Sequence, residues 1–431
     1  PDEIMGMPRL WHSSEDCLNL NIWTTSLDKE AQKPVMVFLH GGGYFSGSAI
    51  HLTCYEGKEQ ALLGDVVSVT VNHRLNVLGF LDLSQYGDDF RESGNVGILD
   101  LVEALKWVQE NIASFGGNPD NVTIYGHSGG GGKVTTLMQM PCADGLYHKA
   151  IIMSGITRME GPVDGLPMRI TRETAQKNAR ILVNAAGGTD KLQSMPVNEL
   201  MALVPHTFKD YFFWSPVPGA GDYPGDPGQA GIREETGNIP VMIGNALCEF
   251  SGPADSRDKS QVTEGEVVKT LSEKYGLKGP VLYDIYKKTY PNLKPYYALT
   301  LIPMAFRQDV NLFSEKRADL SGAPVYEYLL TYESAYNGGT ISWHGVELPF
   351  VFHNAEDKGC VFSGEQTWVT QEEIFNAWIH FAKYGNPNHD LLPKWDPFTR
   401  EHRACMVFGA PSACRVNHDE ELLSIINELK G

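Results

Sequence analysis

Basic residues are in short supply. Lys and Arg number 35 against 53 Asp and Glu, for a formal net charge of −18 at pH 7. A chain this acidic is a poor partner for nucleic acid or for an anionic membrane surface, so neither is expected. Long apolar runs are also missing. No stretch reaches the roughly 18 consecutive apolar residues of a membrane-spanning helix, and no membrane span is expected. Cysteine is sparse: Cys17, Cys54, Cys142, Cys248, Cys360, Cys405 and Cys414 are scattered along 431 residues. None forms a Cys-x-x-Cys pair or a Cys/His cluster, so no metal is expected, and free thiols with at most one or two disulfides are the default. The first residues, Pro1-Asp2-Glu3-Ile4-Met5-Gly6, lack a signal-peptide pattern. A start at Pro1 is that of a processed or incomplete chain. The compartment therefore stays open, with a slight lean to the cytoplasm. Internal repeats and low-complexity tracts are absent, and no linker divides the chain.

What is present is an ordinary soluble composition, 42% hydrophobic and 20% charged, and one stretch of unusual local chemistry. Asn121 to Tyr125 reads as a short buried strand, β-branched and aromatic. Tyr125-Gly126-His127-Ser128-Gly129-Gly130 follows, and Lys133 to Gln139 can be helical. Gly-x-Ser-x-Gly between a strand and a helix is the pattern of a nucleophile held on a sharp turn. A Cβ at Gly126 or Gly130 would strike neighbouring backbone. The helix N-terminus behind Ser128 leaves N–H groups unpaired and partly positive, which suits an oxyanion. The same glycines do not make a phosphate loop. Gly-x-x-x-x-Gly-Lys would need glycine at 127, where His127 stands, and Val134 replaces the Ser/Thr.

Strands alternate with helices around this stretch. Leu18 to Trp23 alternates apolar and polar residues. Pro34 to Leu39 is a continuous apolar run that stops at His40-Gly41-Gly42-Gly43. Val66 to Val71, Lys149 to Ser154, Pro240 to Gly244 and Pro324 to Leu330 are further strands. Gly94 to Gly116 holds a helix with an apolar stripe on Ile98, Leu101, Val102, Leu105, Val108 and Ile112. Helices are also expected over Thr171–Ala186, Val197–Val204, Gln371–Tyr384 and Asp419–Lys430, with two or three between Glu264 and Leu320. Gly219 to Gly228 is a loop. This alternation predicts an α/β protein with a mostly parallel central sheet covered by helices on both faces.

Three consecutive glycines after a central strand allow backbone N–H groups to approach a ligand without obstruction. Glu249 lies just past the C-terminal end of a predicted central strand, where open α/β sheets place their sites. Asp222, Glu347 and Asp357 are rival carboxylates. Phe208, Tyr211, Phe212, Phe213 and Trp214 either line an acyl pocket or are core.

Several stretches together resemble the type-B carboxylesterase/cholinesterase family. They are Ser14-Glu15-Asp16-Cys17-Leu18-Asn19-Leu20-Asn21, His40 to Gly43 with Phe45-Ser46-Gly47, Gly94 to Gly97 with Asp100, and Phe115 to Pro119. To these add the Ser128 turn, His344-Gly345-Val346-Glu347-Leu348-Pro349-Phe350 and Phe381 to Asn388. The resemblance implies an α/β-hydrolase fold, written as one domain over 1–431, with insertions at about 156–235 and 251–320 forming cap and pocket walls. It implies a serine carboxylesterase that acts on a small-molecule ester without a cofactor. Ser128 would be the nucleophile, Glu249 the acid and His344 the base, in the chain order of that fold. The backbone N–H groups of Gly42, Gly43 and Gly129 would receive the oxyanion. Ser154 matches a partner of the acid. A non-catalytic adhesion or scaffold protein, or an amidase or thioesterase with the same triad, is the alternative. Oligomeric state stays open.

The sequence departs from the family in three places. His127 stands where the family usually has Glu, which removes a negative charge beside the nucleophile and favours neutral short-to-medium acyl or aromatic esters over choline-like cations. Gly129 stands where Ala is usual. Several tens of residues that usually precede the Ser-Glu-Asp-Cys stretch, including the usual disulfide partner of Cys17, do not precede it here.

Overall fold

The computed structural model describes residues 14–155, 159, 170–208, 214–249, 257–301, 306–320 and 322–429. They gather into two compact units that interleave along the chain, one of Arg9–His51 and Ala61–Ile239, the other mainly of Leu52–Gln60 and Pro240–Gly431.

In the first unit five strands lie side by side in the order β1-β3-β2-β4-β5. They are β1 (Leu20–Trp23), β2 (Lys33–Leu39), β3 (Val67–Val71), β4 (Gly117–His127) and β5 (Lys149–Met153). Only β1 runs antiparallel to its neighbour; the pairs β2–β3, β2–β4 and β4–β5 are parallel. β3 and β5 are buried along their whole length, the signature of parallel strands covered on two sides. Each fully buried Val or Ile contributes about 1.5–3 kcal/mol, so Val35, Val37, Ile124, Ile151 and Ile152, all at 0% exposure, anchor this sheet. Helix α1 (Val96–Asn111) buries the expected stripe and ends in a short 3-10 turn at Ile112–Phe115. Helix α2 (Gly129–Gln139) follows β4 directly. Helix α3 (Arg172–Ala186) starts where Thr171 accepts the Thr174 N–H at 3.1 Å and stops at Gly187, φ 85°.

Two expectations need correcting here. β4 is not confined to Asn121–Tyr125; it begins at Gly117. Its pairing with β2 jumps from Lys33–Gly117 to Val35–Val122, so Asn118, Pro119, Asp120 and Asn121 sit in a bulged stretch of strand. Their turn-forming character hid it. α2 starts at Gly129, four residues before the apolar signal at Lys133–Gln139.

The second unit orders four strands β6-β7-β8-β9: β6 (Val241–Ala246), β7 (Val325–Leu330), β8 (Ala404–Phe408) and β9 (Ala413–Val416). β6–β7 and β7–β8 are parallel, and β9 closes the edge antiparallel. β8 and β9 were not foreseen. Helices α4 (Glu264–Tyr275), α5 (Lys278–Thr289), α6 (Phe306–Ala318), α7 (Glu365–Tyr384) and α8 (Glu420–Glu428) surround them, with a one-turn helix at Ala298–Leu301. β7 is buried along its whole length, and since successive side chains point to opposite faces, both faces are covered. Tyr326 and Tyr328 meet Phe381 and Trp378 of α7 at 6.4 and 5.1 Å. Glu327, between them, meets Arg307 of α6 at 2.8 Å. Arg307 also grips Asp419 at 2.8 Å, so the buried carboxylates of that face are paired. Cys17, Cys142, Cys405 and Cys414 carry free thiols. Among the described residues no helix is long and apolar enough to cross a membrane.

Candidate active site

The first unit carries the serine. β4 delivers its buried end, Ile124 and Tyr125 at 0% exposure, straight into Ser128. Ser128 stands at φ 59°, ψ −126°, a conformation that costs a non-glycine residue about 1–3 kcal/mol and persists only where its surroundings enforce it. They do. Ser128 N donates to Met153 O at 2.8 Å, and Ser128 O accepts from Gly132 N at 3.1 Å. A Cβ on Gly126 would lie 2.7 Å from Leu39 O, and one on Gly130 only 1.9 Å from the same atom. The sharp turn expected from the sequence is present, and glycine is required on both sides of it.

The glycine loop after β2 comes to the same place. Gly42 and Gly43 have φ 88° and 63°, backbone that side chains rarely adopt. A Cβ on Gly129 would sit 2.3 Å from Gly43 O and 2.4 Å from Gly43 N. The loop thus lies against the first turn of α2, where unpaired N–H groups concentrate positive potential. Ser128, Gly129 and Gly43 are brought together. His127 is buried at 2% exposure and Ser154, at φ 45°, at 1%. Gly155 packs on the turn, since a Cβ there would reach Ser128 O at 2.0 Å.

The second unit carries the other two side chains. Glu249 follows β6 and is buried at 1%. Its Oε1 accepts the Ala246 N–H at 2.8 Å. Its Oε2 lies 2.5 Å from Nδ1 of His344, and its carbonyl accepts the His344 N–H at 2.7 Å. His344 is therefore fixed by backbone and side chain alike. Nδ1–H faces the carboxylate and Nε2 is left as the basic nitrogen. Burial pushes the imidazole pKa down, but the Glu249 charge and hydrogen bond outweigh it, with a smaller push from Glu347, and the net shift is upward. Of the rival carboxylates, Asp222 and Asp357 are exposed and Glu347 is buried. The hydrogen bond to the imidazole belongs to Glu249.

Tyr211, Phe212 and Phe213 of the aromatic cluster lie outside the described residues; Phe208 and Trp214 meet edge to face at 6.3 Å. Sequence reasoning missed Lys133, weighing it only as a phosphate-loop lysine. Its side chain is wholly buried, and Nζ donates to His40 O at 2.8 Å. Burial alone lowers its pKa to about 7. The available signal was a lysine three residues after Gly130, on the helix face that a close backbone contact must occupy.

Residues 2–423 match the family described as "Carboxylesterase family". The sequence is 30% identical over 441 residues to the para-nitrobenzyl esterase of Bacillus subtilis, covering 98% of this chain and 84% of that protein. It is 30% identical over 413 residues to the phenmedipham hydrolase of Pseudarthrobacter oxydans, covering 93% and 80%. Among solved structures, an esterase from anaerobic Clostridium hathewayi that can hydrolyze aliphatic aromatic polyesters matches with a TM-score of 0.89 and 36% identity, over 99% of this chain and 85% of that one.

Proposed function

The chain belongs to the carboxylesterase family, with the α/β-hydrolase fold, and we propose that its ester hydrolysis runs through an acyl-enzyme on Ser128. Ser128 Oγ attacks the ester carbonyl carbon while its proton passes to His344 Nε2. Glu249 orients the imidazole and stabilises it once charged. The developing oxyanion is received by the N–H groups of Gly42, Gly43 and Gly129; one such donor is worth about 2.7–4 kcal/mol in the transition state. The C–O bond to the alcohol breaks and the leaving oxygen takes the proton from His344. Water then repeats the sequence, and the acid departs. Ser154 steadies the acid. The chain acts as one domain, with the segments at about 156–235 and 251–320 walling the pocket.

The observation that carries this reading is the backbone of Ser128, held at φ 59° between a buried strand and a helix. Nothing structural demands a serine in that conformation, whereas a nucleophile exposed at the head of a sheet does. Neutral short-to-medium acyl or aromatic esters are the proposed substrates, because His127 puts no carboxylate beside the nucleophile.

Nitrophenyl acyl esters, anilides and thioesters, assayed on wild type and Ser128→Ala, test the proposal. The esters turn over fastest, and Ser128→Ala lowers kcat by about 10⁵. Mass spectrometry of the quenched enzyme finds the acyl group on the Ser128 peptide. Equal rates for the two proteins, or an acyl group elsewhere, would overturn it. A choline ester that outcompetes its neutral isostere in kcat/KM would refute the substrate preference alone.

A further inference from the structure

A lysine buried without a carboxylate partner is expensive to keep. Lys133 is at 0% exposure, and among the described residues its side chain makes one hydrogen bond, to a backbone carbonyl, that of His40 at 2.8 Å. An ammonium there costs several kcal/mol of desolvation, and even the neutral amine needs a partner. A methionine would fill the same space without that burden. The geometry shows what the amine does. Gly130 and Lys133 are three residues apart on α2 and share a face. A Cβ at Gly130 would lie 1.9 Å from Leu39 O and 3.1 Å from His40 O, so this face presses on the end of β2. Helical side chains lean back toward the N-terminus, which brings Nζ of Lys133 to the residue where β2 gives way to the glycine loop.

The root of that loop is otherwise held by rings. His40 Nδ1 bonds Gly41 O at 2.8 Å, and the His40 ring stacks on His73 at 5.2 Å. Burial, first of all, and then Lys133 push both imidazoles well below their ordinary pKa, so both stay neutral. Gly47 closes over the His40 ring and Gly41, since a Cβ there would sit 2.6 Å from His40 Nδ1 and 2.8 Å from Gly41 O.

We propose that Lys133 is a positioning residue of the oxyanion site, an amine that ties the His40 carbonyl to α2 and so fixes the path of Gly41, Gly42 and Gly43 against the helix. The inference rests on the reading that Gly42, Gly43 and Gly129 receive the oxyanion. It adds that their geometry is set from below by a side chain that never meets the substrate. Preorganised donors owe their value to being fixed before charge develops. Loosening the root therefore weakens transition-state binding more than substrate binding.

The test compares wild type, Lys133→Met and Lys133→Gln, all as the full chain. Each is assayed with a nitrophenyl butyrate and with a trifluoromethyl ketone of matching shape, which binds as a tetrahedral adduct. Lys133→Met is expected to lower kcat by about 10- to 100-fold, less than the loss of a donor itself. KM should stay within about twofold, and ketone affinity should fall by the same factor as kcat. Lys133→Gln carries an N–H donor on a shorter stem and should fall between the two. Should Lys133→Met fail to fold, a loss of at least about threefold in both readouts for Lys133→Gln supports the proposal. Unchanged kcat and ketone affinity would overturn it, as would a fall in kcat with unchanged ketone affinity. A wild type that hydrolyses no ester, or a Ser128→Ala variant that keeps its rate, would instead overturn the acyl-enzyme reading.

Discussion

The Ser128 turn and the Glu249–His344 pair are built by opposite means. The turn is made of backbone. Its contacts are carbonyls and N–H groups packed so closely that Gly126, Gly129 and Gly130 each lack room for a Cβ. The pair is made of side chains 95 residues apart in sequence, joined at 2.5 Å and fastened to β6 through the Ala246 N–H. The first device is fixed by the side chains missing from three glycines within five consecutive residues. The second is fixed by what two distant residues add. They should therefore fail differently, the pair through chemistry with the fold intact and the turn through stability before chemistry is reached.

Glu249→Gln should break the pair with the largest effect. The amide keeps an oxygen for the Ala246 N–H but cannot stabilise a charged imidazole, so kcat is expected to fall by about 10⁴. The melting temperature should stay within a few degrees. The pH profile sharpens this. A general base works neutral, and His344 is held above its ordinary pKa by Glu249 against the opposing push of burial. Wild-type kcat/KM should therefore fall as pH drops through a value above 6.5. In Glu249→Gln that fall should move to lower pH. A variant within about tenfold of wild type, or an unmoved profile, would show that the carboxylate does not brace the base.

Gly130→Ala should break the turn. The new Cβ would meet Leu39 O at 1.9 Å, and neither partner is a flexible side chain. Overpacking against backbone places the expected loss at about 3 kcal/mol or more, read as a lower denaturation midpoint or as insoluble protein. Gly145→Ala is the control, since nothing lies within 4 Å of its Cβ and only its φ of 79° is strained. That change should cost about 1–2 kcal/mol. If both variants unfold at the same denaturant concentration, close backbone approach is not what glycine 130 provides.

The same contrast explains what could be read from the sequence. The turn was legible because its constraint is local, and Gly126, Ser128 and Gly130 announce it in five residues. β2 and β5 were legible because strands buried on two faces are near-continuous apolar runs, and β3 because its β-branched valines alternate with Ser68 and Thr70. Glu249 was legible ahead of Asp222, Glu347 and Asp357 from its place just past a central strand and from the family resemblance, while the contact that holds it to His344 joins distant segments and leaves no local signal. β8, Ala404 to Phe408, was missed although its residues are almost wholly buried. Its five residues do not alternate, and periodicity cannot separate so short an apolar run from other buried segments. α7 starts at Glu365 rather than Gln371 because Thr367 and Thr370, buried at 0% exposure, pack their hydroxyls inside where sequence reads polar residues as surface. α2 was dated too late because four glycines argue against a helix. Packing against β2 overrides that propensity, and the glycines are the condition for it.

Lys133 joins the two behaviours, since it is a side chain that holds backbone, and its cost can be measured apart from any activity. Its pKa is lowered from 10.5 to about 7 by burial. Between those values the unfolded chain binds a proton that the native one does not. Raising pH through this window therefore favours the native state, and the penalty for burying the amine disappears above about pH 10.5. One pH unit is worth at most about 1.36 kcal/mol per proton. Urea unfolding of wild type and Lys133→Met from pH 7.5 to 9.5 should show wild type gaining up to about 2.7 kcal/mol on the variant. Groups common to the two proteins cancel in that difference. Parallel stability curves would mean that the amine is charged in the native state as it is in the unfolded one. The buried site would then have to supply an anionic partner for it, which the contact with His40 O alone does not.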